Sequence, residues 1–227
     1  MATAQQELIP AQEKPRLKRE FRKHLKSDVR LRLYTQRPSP IAIPGRECRS
    51  CPQTMQLMEE LASLSPKLDL EAVEYHLDRE KAQADNITRI PALVIGAGSG
   101  KWIRHYGLPL GYQLPVLVEI IKAQSRGSTR LSVNSRKQLR RVEKPVHLQV
   151  FVTAGSETSA GMALLAQSMA VESANVHTDV VQAEEFPDLT RRYGVRQAPL
   201  TVINEFTSVP GMASEDELLD KVLLVGL

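Results

Sequence analysis

Glu47-Cys48-Arg49-Ser50-Cys51-Pro52 is the stretch that decides how this chain folds, because it holds both cysteines of the sequence, two residues apart. Before it, Val29 to Thr35 alternates apolar and polar residues, which predicts a strand. After it, Pro52 to Leu64 has the apolar spacing of a helix, and proline is tolerated in a first helical turn. The two cysteines are therefore predicted to lie at a helix N-terminus.

The apolar patterns around this dithiol predict a small sheet covered by helices. The first half begins with an amphipathic helix that carries Leu17, Phe21 and Leu25 on one face, and then follows the order β-α-β-α-β-β-α. Pro91 interrupts the third strand and cannot donate to a sheet, so we expect it at an edge or a bend. After the dithiol helix, the predicted segments are strand 68–77, short helix 78–85, strand 87–95, strand 102–106 and helix 113–124.

The second half of the chain repeats the first half. Val146 to Thr153 alternates as the first strand does, and a basic helix over 131–142 precedes it. Ser156-Glu157-Thr158-Ser159 then follows where the first half has its cysteines. From Ser156 to Pro199 is 43 positions, the same as from Cys48 to Pro91. We infer a duplicated domain whose second copy has serine in place of both cysteines.

The length of 227 residues predicts two domains, for which we expect the boundaries 16–124 and 131–227. Apolar residues make up 42% of the chain, yet no apolar run approaches the ~20 residues of a membrane span. The first 15 residues lack the features of a secretory signal. We therefore expect a cytoplasmic protein without membrane contact. A reducing cytoplasm keeps ordinary thiols unpaired, so a lone Cys-x-x-Cys there indicates chemistry.

The same sequence offers weaker signals for nucleic-acid binding, phosphate binding and zinc binding. The net charge is +4, with basic residues concentrated in 16–32 and 126–144, but acidic residues are interspersed and aromatics are scarce. This favours solvated helix faces over a nucleic-acid surface. The glycines of 96–101 lack the spacing of a phosphate loop and predict a hairpin turn. A zinc site normally needs four ligands, so the dithiol could serve one only if a homodimer shared the metal through two such pairs.

A Cys-x-x-Cys between the first strand and helix, followed by Ile90-Pro91 before a hairpin, resembles a thioredoxin fold. The tandem arrangement resembles the glutaredoxin-like protein disulfide oxidoreductases. The resemblance implies an α/β fold of two tandem thioredoxin-like domains, each a small mixed central sheet flanked by helices. It covers nearly all of 16–224, and the stretches that carry it best are 103–112, 145–153, 185–189 and 201–205.

The resemblance also implies roles for individual residues of the first domain. Cys48 takes the place of the exposed nucleophilic cysteine, and Cys51 that of the resolving cysteine. Ile90 and Pro91 take the place of the substrate-binding segment with a cis-proline that faces the dithiol. No bound cofactor is implied beyond the redox-active disulfide Cys48–Cys51.

The second domain departs from the family pattern. Ser156 and Ser159 cannot form a disulfide, although Pro199 keeps the proline. We expect this degenerate second site to retain the fold, and its binding groove as well, without redox chemistry.

A thiolate at Cys48 should be stabilised by the helix N-terminus and by nearby cations, which lower the pKa of a cysteine. Arg46 and Arg49 supply such cations, whereas Glu47 opposes them. The prediction is thus a protein disulfide oxidoreductase, with disulfide-containing proteins as substrates and a thiol or a flavin-dependent reductase as electron donor. The alternatives are a peptide-binding module and a dedicated redox partner of one enzyme, with a sensory or vestigial dithiol.

Overall fold

The computed structural model describes residues 7–37, 47–96, 98, 100 and 103–227. The described residues form two units with the same order of elements. The first unit consists of α1 (Lys14–His24), β1 (Val29–Thr35), α2 (Cys51–Ala62), β2 (Leu68–Glu74), α3 (Arg79–Ala84), β3 (Ala92–Ile95), β4 (Ile103–Tyr106) and α4 (Gln113–Arg126). The second unit consists of α5 (Val133–Leu139), β5 (Val146–Val152), α6 (Glu157–Glu172), β6 (Val176–Gln182), α7 (Pro187–Arg192), β7 (Leu200–Ile203), β8 (Thr207–Pro210) and α8 (Glu215–Gly226).

The predicted order of elements is confirmed, with two corrections at strand ends. β2 stops at Glu74 because the amides of Leu77 and Asp78 turn back to its carbonyl. β3 begins only at Ala92, so Pro91 precedes the strand instead of interrupting it, as expected of a residue without an amide hydrogen. Residues 38–46, which precede the dithiol segment, and residues 97, 99, 101 and 102, which belong to the predicted hairpin and strand 102–106, lie outside the described residues.

One eight-stranded sheet runs through both units in the order β2-β1-β3-β4-β6-β5-β7-β8. In each unit the first two strands are parallel and the other pairs are antiparallel. The units join head to tail, because β4 of the first pairs in parallel with β6 of the second. β1, β4 and β6 are therefore parallel to one another, and the segments that follow them lie at the same end of the sheet, beyond the carboxyl ends of these strands.

The helices cover the two faces of this sheet unequally. The alternation of β1 sends Leu31 and Leu33 into a large apolar core on one face and Tyr34 into a smaller core on the other. The large core receives helices from both units, whereas α3 and α7 supply Ala82 and Leu189 to the small one. Among the helices that the structure describes, none is long and apolar enough to cross a lipid bilayer.

A buried ion pair lies where the two units meet. Arg104 on β4 and Asp179 on β6 are register partners, each 4% exposed. The guanidinium donates to both carboxylate oxygens, at 2.5 and 2.9 Å, and His147 lies 2.9 Å from the same carboxylate. Burial alone would raise the pKa of Asp179, but the bond from His147 and the charge of Arg104 outweigh it and hold that pKa below its ordinary value.

We expect Asp179→Asn to destabilise the protein strongly, because it leaves the buried Arg104 cation without its counterion. Breaking such a pair typically costs about 3–5 kcal/mol. Urea unfolding measures the loss. The control is Asp69→Asn, which removes the partner of Arg30 in a pair whose side chains are 54% and 61% exposed. That change should cost less than about 1 kcal/mol. Equal losses in the two variants would contradict the role given to the junction.

A second charged contact ties the N-terminal segment to α2. The two carboxylate oxygens of Glu60 accept hydrogen bonds from the amides of Leu8 and Ile9, each at 3.0 Å, and Ile9 is fully buried. Burial would raise the pKa of Glu60, but these two bonds, with help from Gln56 and Lys14, lower it to about 2. The charged form of Glu60 is therefore the one that holds the segment.

Glu60→Gln should lower the free energy of unfolding at neutral pH by about 1–2 kcal/mol, since an amide offers one acceptor for two donors. Because the folded pKa is depressed, the contribution of Glu60 is fully present above the ordinary value of 4.5 and is lost as the pH falls toward 2. The difference between wild type and variant should shrink over that range. Urea titrations at several pH values test this, with exposed Glu59→Gln as the control. A pH-independent difference would contradict the assignment.

Candidate functional site

Cys48 and Cys51 form a disulfide at the start of α2, with their Cα atoms 5.3 Å apart. The two sulfurs have different environments, because Cys48 is partly exposed whereas Cys51 is fully buried. They are the only cysteines of the chain. The prediction that the dithiol lies at a helix N-terminus is therefore confirmed.

The first turn of α2 lacks the usual side-chain cap. Ser50 occupies the N-cap position, but its hydroxyl makes no hydrogen bond to the helix. Pro52 has no amide hydrogen, so the amides of Cys51 and Gln53 are left as the donors at this end. Arg49 and Glu47 are exposed beside them, whereas Arg46, the other predicted cation, lies outside the described residues.

The Ile90–Pro91 peptide bond is cis. Continuing the antiparallel register of β1 and β3 places Pro91 beside Thr35. Thr35 in turn lines a cavity of about 330 Å³ together with Cys51. The structure thus places the proline and the dithiol at the same end of the sheet, and the carbonyl of Pro91 accepts a bond from the Gly107 amide at 3.0 Å.

The second unit repeats this local geometry with different chemistry. Ala198–Pro199 is also cis. Ser156 caps α6 by accepting a hydrogen bond from the Ser159 amide at 3.1 Å, and Ser159 is fully buried. The serine that replaces the outer cysteine therefore occupies the helix amides itself.

The second unit also contributes a carboxylate to the first unit's site. The Ser50 hydroxyl donates a short hydrogen bond to Glu185 Oε2, and the Leu108 amide donates to Glu185 Oε1 at 2.7 Å. Sequence reasoning missed this contact. Glu185 belongs to a stretch that supports the resemblance, but Ser50 and Glu185 are 135 residues apart and no motif links them.

The comparisons with known proteins give structural matches only. No family model and no curated protein matches the chain. A protein disulfide oxidoreductase from Aeropyrum pernix K1 superposes with a TM-score of 0.84 at 22% identity, over 95% of this chain and 93% of that chain. A C503A mutant of the alkylhydroperoxide reductase AhpF from Enterococcus faecalis superposes with a TM-score of 0.83 at 20% identity, over 95% and 99% of the two chains.

A third solved structure, Sso1120 from Sulfolobus solfataricus, matches with a TM-score of 0.64 at 15% identity, over 88% of this chain and 99% of that chain. At these identities the likeness concerns the fold. The predicted architecture is confirmed by it: the chain has a tandem thioredoxin-like fold, with a Cys-x-x-Cys disulfide at the start of α2 in its first unit.

Proposed function

We propose that this protein is a thiol-disulfide oxidoreductase in which the dithiol of the first unit carries the reaction. One observation supports this most directly: at the open N-terminus of α2, one sulfur of a disulfide pair is accessible and the other is buried. This difference suits disulfide exchange, because the accessible cysteine can meet the substrate and the buried one lies next to it, in reach of the mixed disulfide that it must resolve.

In the reducing direction, the Cys48 thiolate attacks one sulfur of a substrate disulfide and forms a mixed disulfide, while the other substrate sulfur leaves as a thiolate that takes up a proton. Cys51, after losing its proton, then attacks the Cys48 sulfur and releases the second substrate thiolate. Two electrons pass to the substrate, and the Cys48–Cys51 disulfide forms. The N-terminus of α2, to which the N-cap Ser50 makes no side-chain hydrogen bond, and the exposed Arg49 favour the thiolate at Cys48.

Pro91 would present the substrate's main chain to the dithiol, with Ile90 before it. A small thiol or a flavin-dependent reductase would return the electrons, and no bound cofactor takes part. The chain's two cysteines both lie in the first unit, so we propose that the second unit is redox-inactive. A cytoplasmic place in cell redox homeostasis, as in glutaredoxin-like proteins, completes the proposal.

A dedicated redox partner of one enzyme is the second candidate. It draws support from the likeness to the alkylhydroperoxide reductase AhpF, which extends over 95% of this chain. A peptide-binding module is a further alternative, supported by the second unit, which repeats the order of elements of the first without a dithiol. Both alternatives predict that general disulfide substrates are reduced no faster than in buffer.

We expect wild-type protein to accelerate the reduction of insulin by dithiothreitol, and Cys48→Ser to fall to the background rate. The reason is that serine cannot form the mixed disulfide. Turbidity of the released insulin chain measures the rate, and a circular dichroism spectrum checks that the variant is folded. A wild-type rate equal to background would contradict general reductase activity.

The two cysteines should also differ in a trapping experiment. With Cys51→Ser, a mixed disulfide between insulin and Cys48 should accumulate, because no second thiol resolves it; the matched variant Cys48→Ser should trap little.

In the reduced wild type, iodoacetamide should modify Cys48 at least about tenfold faster than Cys51, since Cys51 is fully buried. Equal trapping by both variants, or faster labelling of Cys51, would reverse the proposed roles. Mass spectrometry of the non-reduced protein identifies each adduct.

A further inference from the structure

The loop that follows β6 in the second unit reaches the dithiol segment of the first. Since β1, β4 and β6 run in the same direction, the segments after them lie at the same end of the sheet, beyond the carboxyl ends of these strands. Glu185 there bridges two parts of the first unit: it accepts from the hydroxyl of Ser50, between the cysteines, and from the amide of Leu108, after β4. A Cβ on Gly107, whose φ is +93°, would lie 2.7 Å from the Glu185 Oε1 atom, so this approach needs a glycine.

The neighbouring residue of the second unit touches the loop that carries the cis-proline. The Arg89 guanidinium lies over the ring of Phe186, 5.9 Å from its centroid. The same ring packs edge-on against Tyr106 at the end of β4, with centroids 6.2 Å apart. Two consecutive residues of the second unit, Glu185 and Phe186, therefore contact the dithiol segment, the end of β4 and the cis-proline loop.

Among the residues that the structure describes, the contact has no counterpart in the other direction. The duplication relates Cys48 to Ser156 by 108 positions, and the same offset relates Leu77 to Glu185 and Ser50 to Thr158. Leu77 is 85% exposed and follows β2, the edge strand that is farthest from the second unit. The head-to-tail join thus gives the first unit a neighbour at its β4 edge, whereas β8, the equivalent strand, is the last of the sheet.

We propose that Glu185 is a positioning residue of the dithiol centre, through which the second unit sets the redox equilibrium of the first. Its hydrogen bond holds the Ser50 hydroxyl away from the helix cap, and its negative charge opposes the thiolate of Cys48. The hydrogen bond therefore favours the thiolate of Cys48, whereas the charge disfavours it. The charge dominates in Glu185→Gln, because the amide oxygen of glutamine can accept from the Leu108 amide and its NH2 group can donate to the Ser50 hydroxyl, so the bridge is kept while the charge is gone. The inference rests on the proposed function in that Cys48 is the attacking cysteine.

The experiment equilibrates wild type, Glu185→Gln and Glu184→Gln in glutathione buffers and measures the oxidised fraction by alkylation and mass spectrometry. Loss of the charge stabilises the thiolate and with it the reduced protein. The equilibrium constant for oxidation by glutathione disulfide should therefore fall about fivefold in Glu185→Gln, and the pKa of Cys48, read from thiolate absorbance, should fall with it. Glu184 is adjacent and exposed, so Glu184→Gln removes the same charge without the bridge and should stay within about twofold of wild type.

The proposal would be overturned if the equilibrium constant for oxidation stayed within twofold of wild type in Glu185→Gln, or if it shifted equally in Glu184→Gln. Should Glu185→Gln fail to fold, Ser50→Ala is the deciding variant, because it removes the hydrogen bond that holds the carboxylate at the dithiol segment. We expect its equilibrium constant for oxidation by glutathione disulfide to fall at least about twofold. An unchanged constant would then overturn it. The measurement needs no protein substrate, so a failure to reduce insulin would count against the proposed function alone, and an unshifted equilibrium against this inference alone.

Discussion

The pairing of β4 with β6 is the interaction on which the arrangement of the site depends. Each unit by itself would end in a strand with unpaired backbone groups, and such edges invite uncontrolled pairing. The parallel ladder from Ile103–Thr178 to Tyr106–Val181 joins two of these edges and makes one sheet of eight strands. The buried pair of Arg104 and Asp179 lies within this ladder and links the two units by charge as well as by backbone hydrogen bonds.

This join also fixes which parts of the two units meet. It is head to tail, so the loop after β6 comes to the dithiol of the first unit, while the loop after β2 follows the edge strand that is farthest from the second unit. A twofold arrangement would have given both units the same neighbour. The asymmetry of the contacts therefore follows from strand order, and the asymmetry of the chemistry, with cysteines in one copy and serines in the other, coincides with it.

Two similar helix starts show how one local change alters what a site can do. In the second unit Ser156 caps α6 and binds the amide of Ser159. In the first unit Ser50 turns its hydroxyl to Glu185 and leaves α2 uncapped. A helix N-terminus without a cap still has donors and a favourable dipole to offer an anion. The same backbone framework is thus capped by its own serine in one unit and not capped by its N-cap serine in the other.

The sequence by itself determined the duplicated order of elements, the dithiol at a helix N-terminus and the matched spacing from each of these sites to its proline. These depend on local periodicity, on proline's missing amide and on a constant offset between the halves, all of which can be read along the chain. It did not reveal the ends of β2 and β3 closely, because turn hydrogen bonds leave little trace in hydrophobic pattern. Only the tertiary structure decided that two sheets become one, that Arg104 meets Asp179, and that Glu185 reaches Ser50. Those contacts join residues from separate units, and they depend on which strand edges pair, a choice that no local pattern encodes.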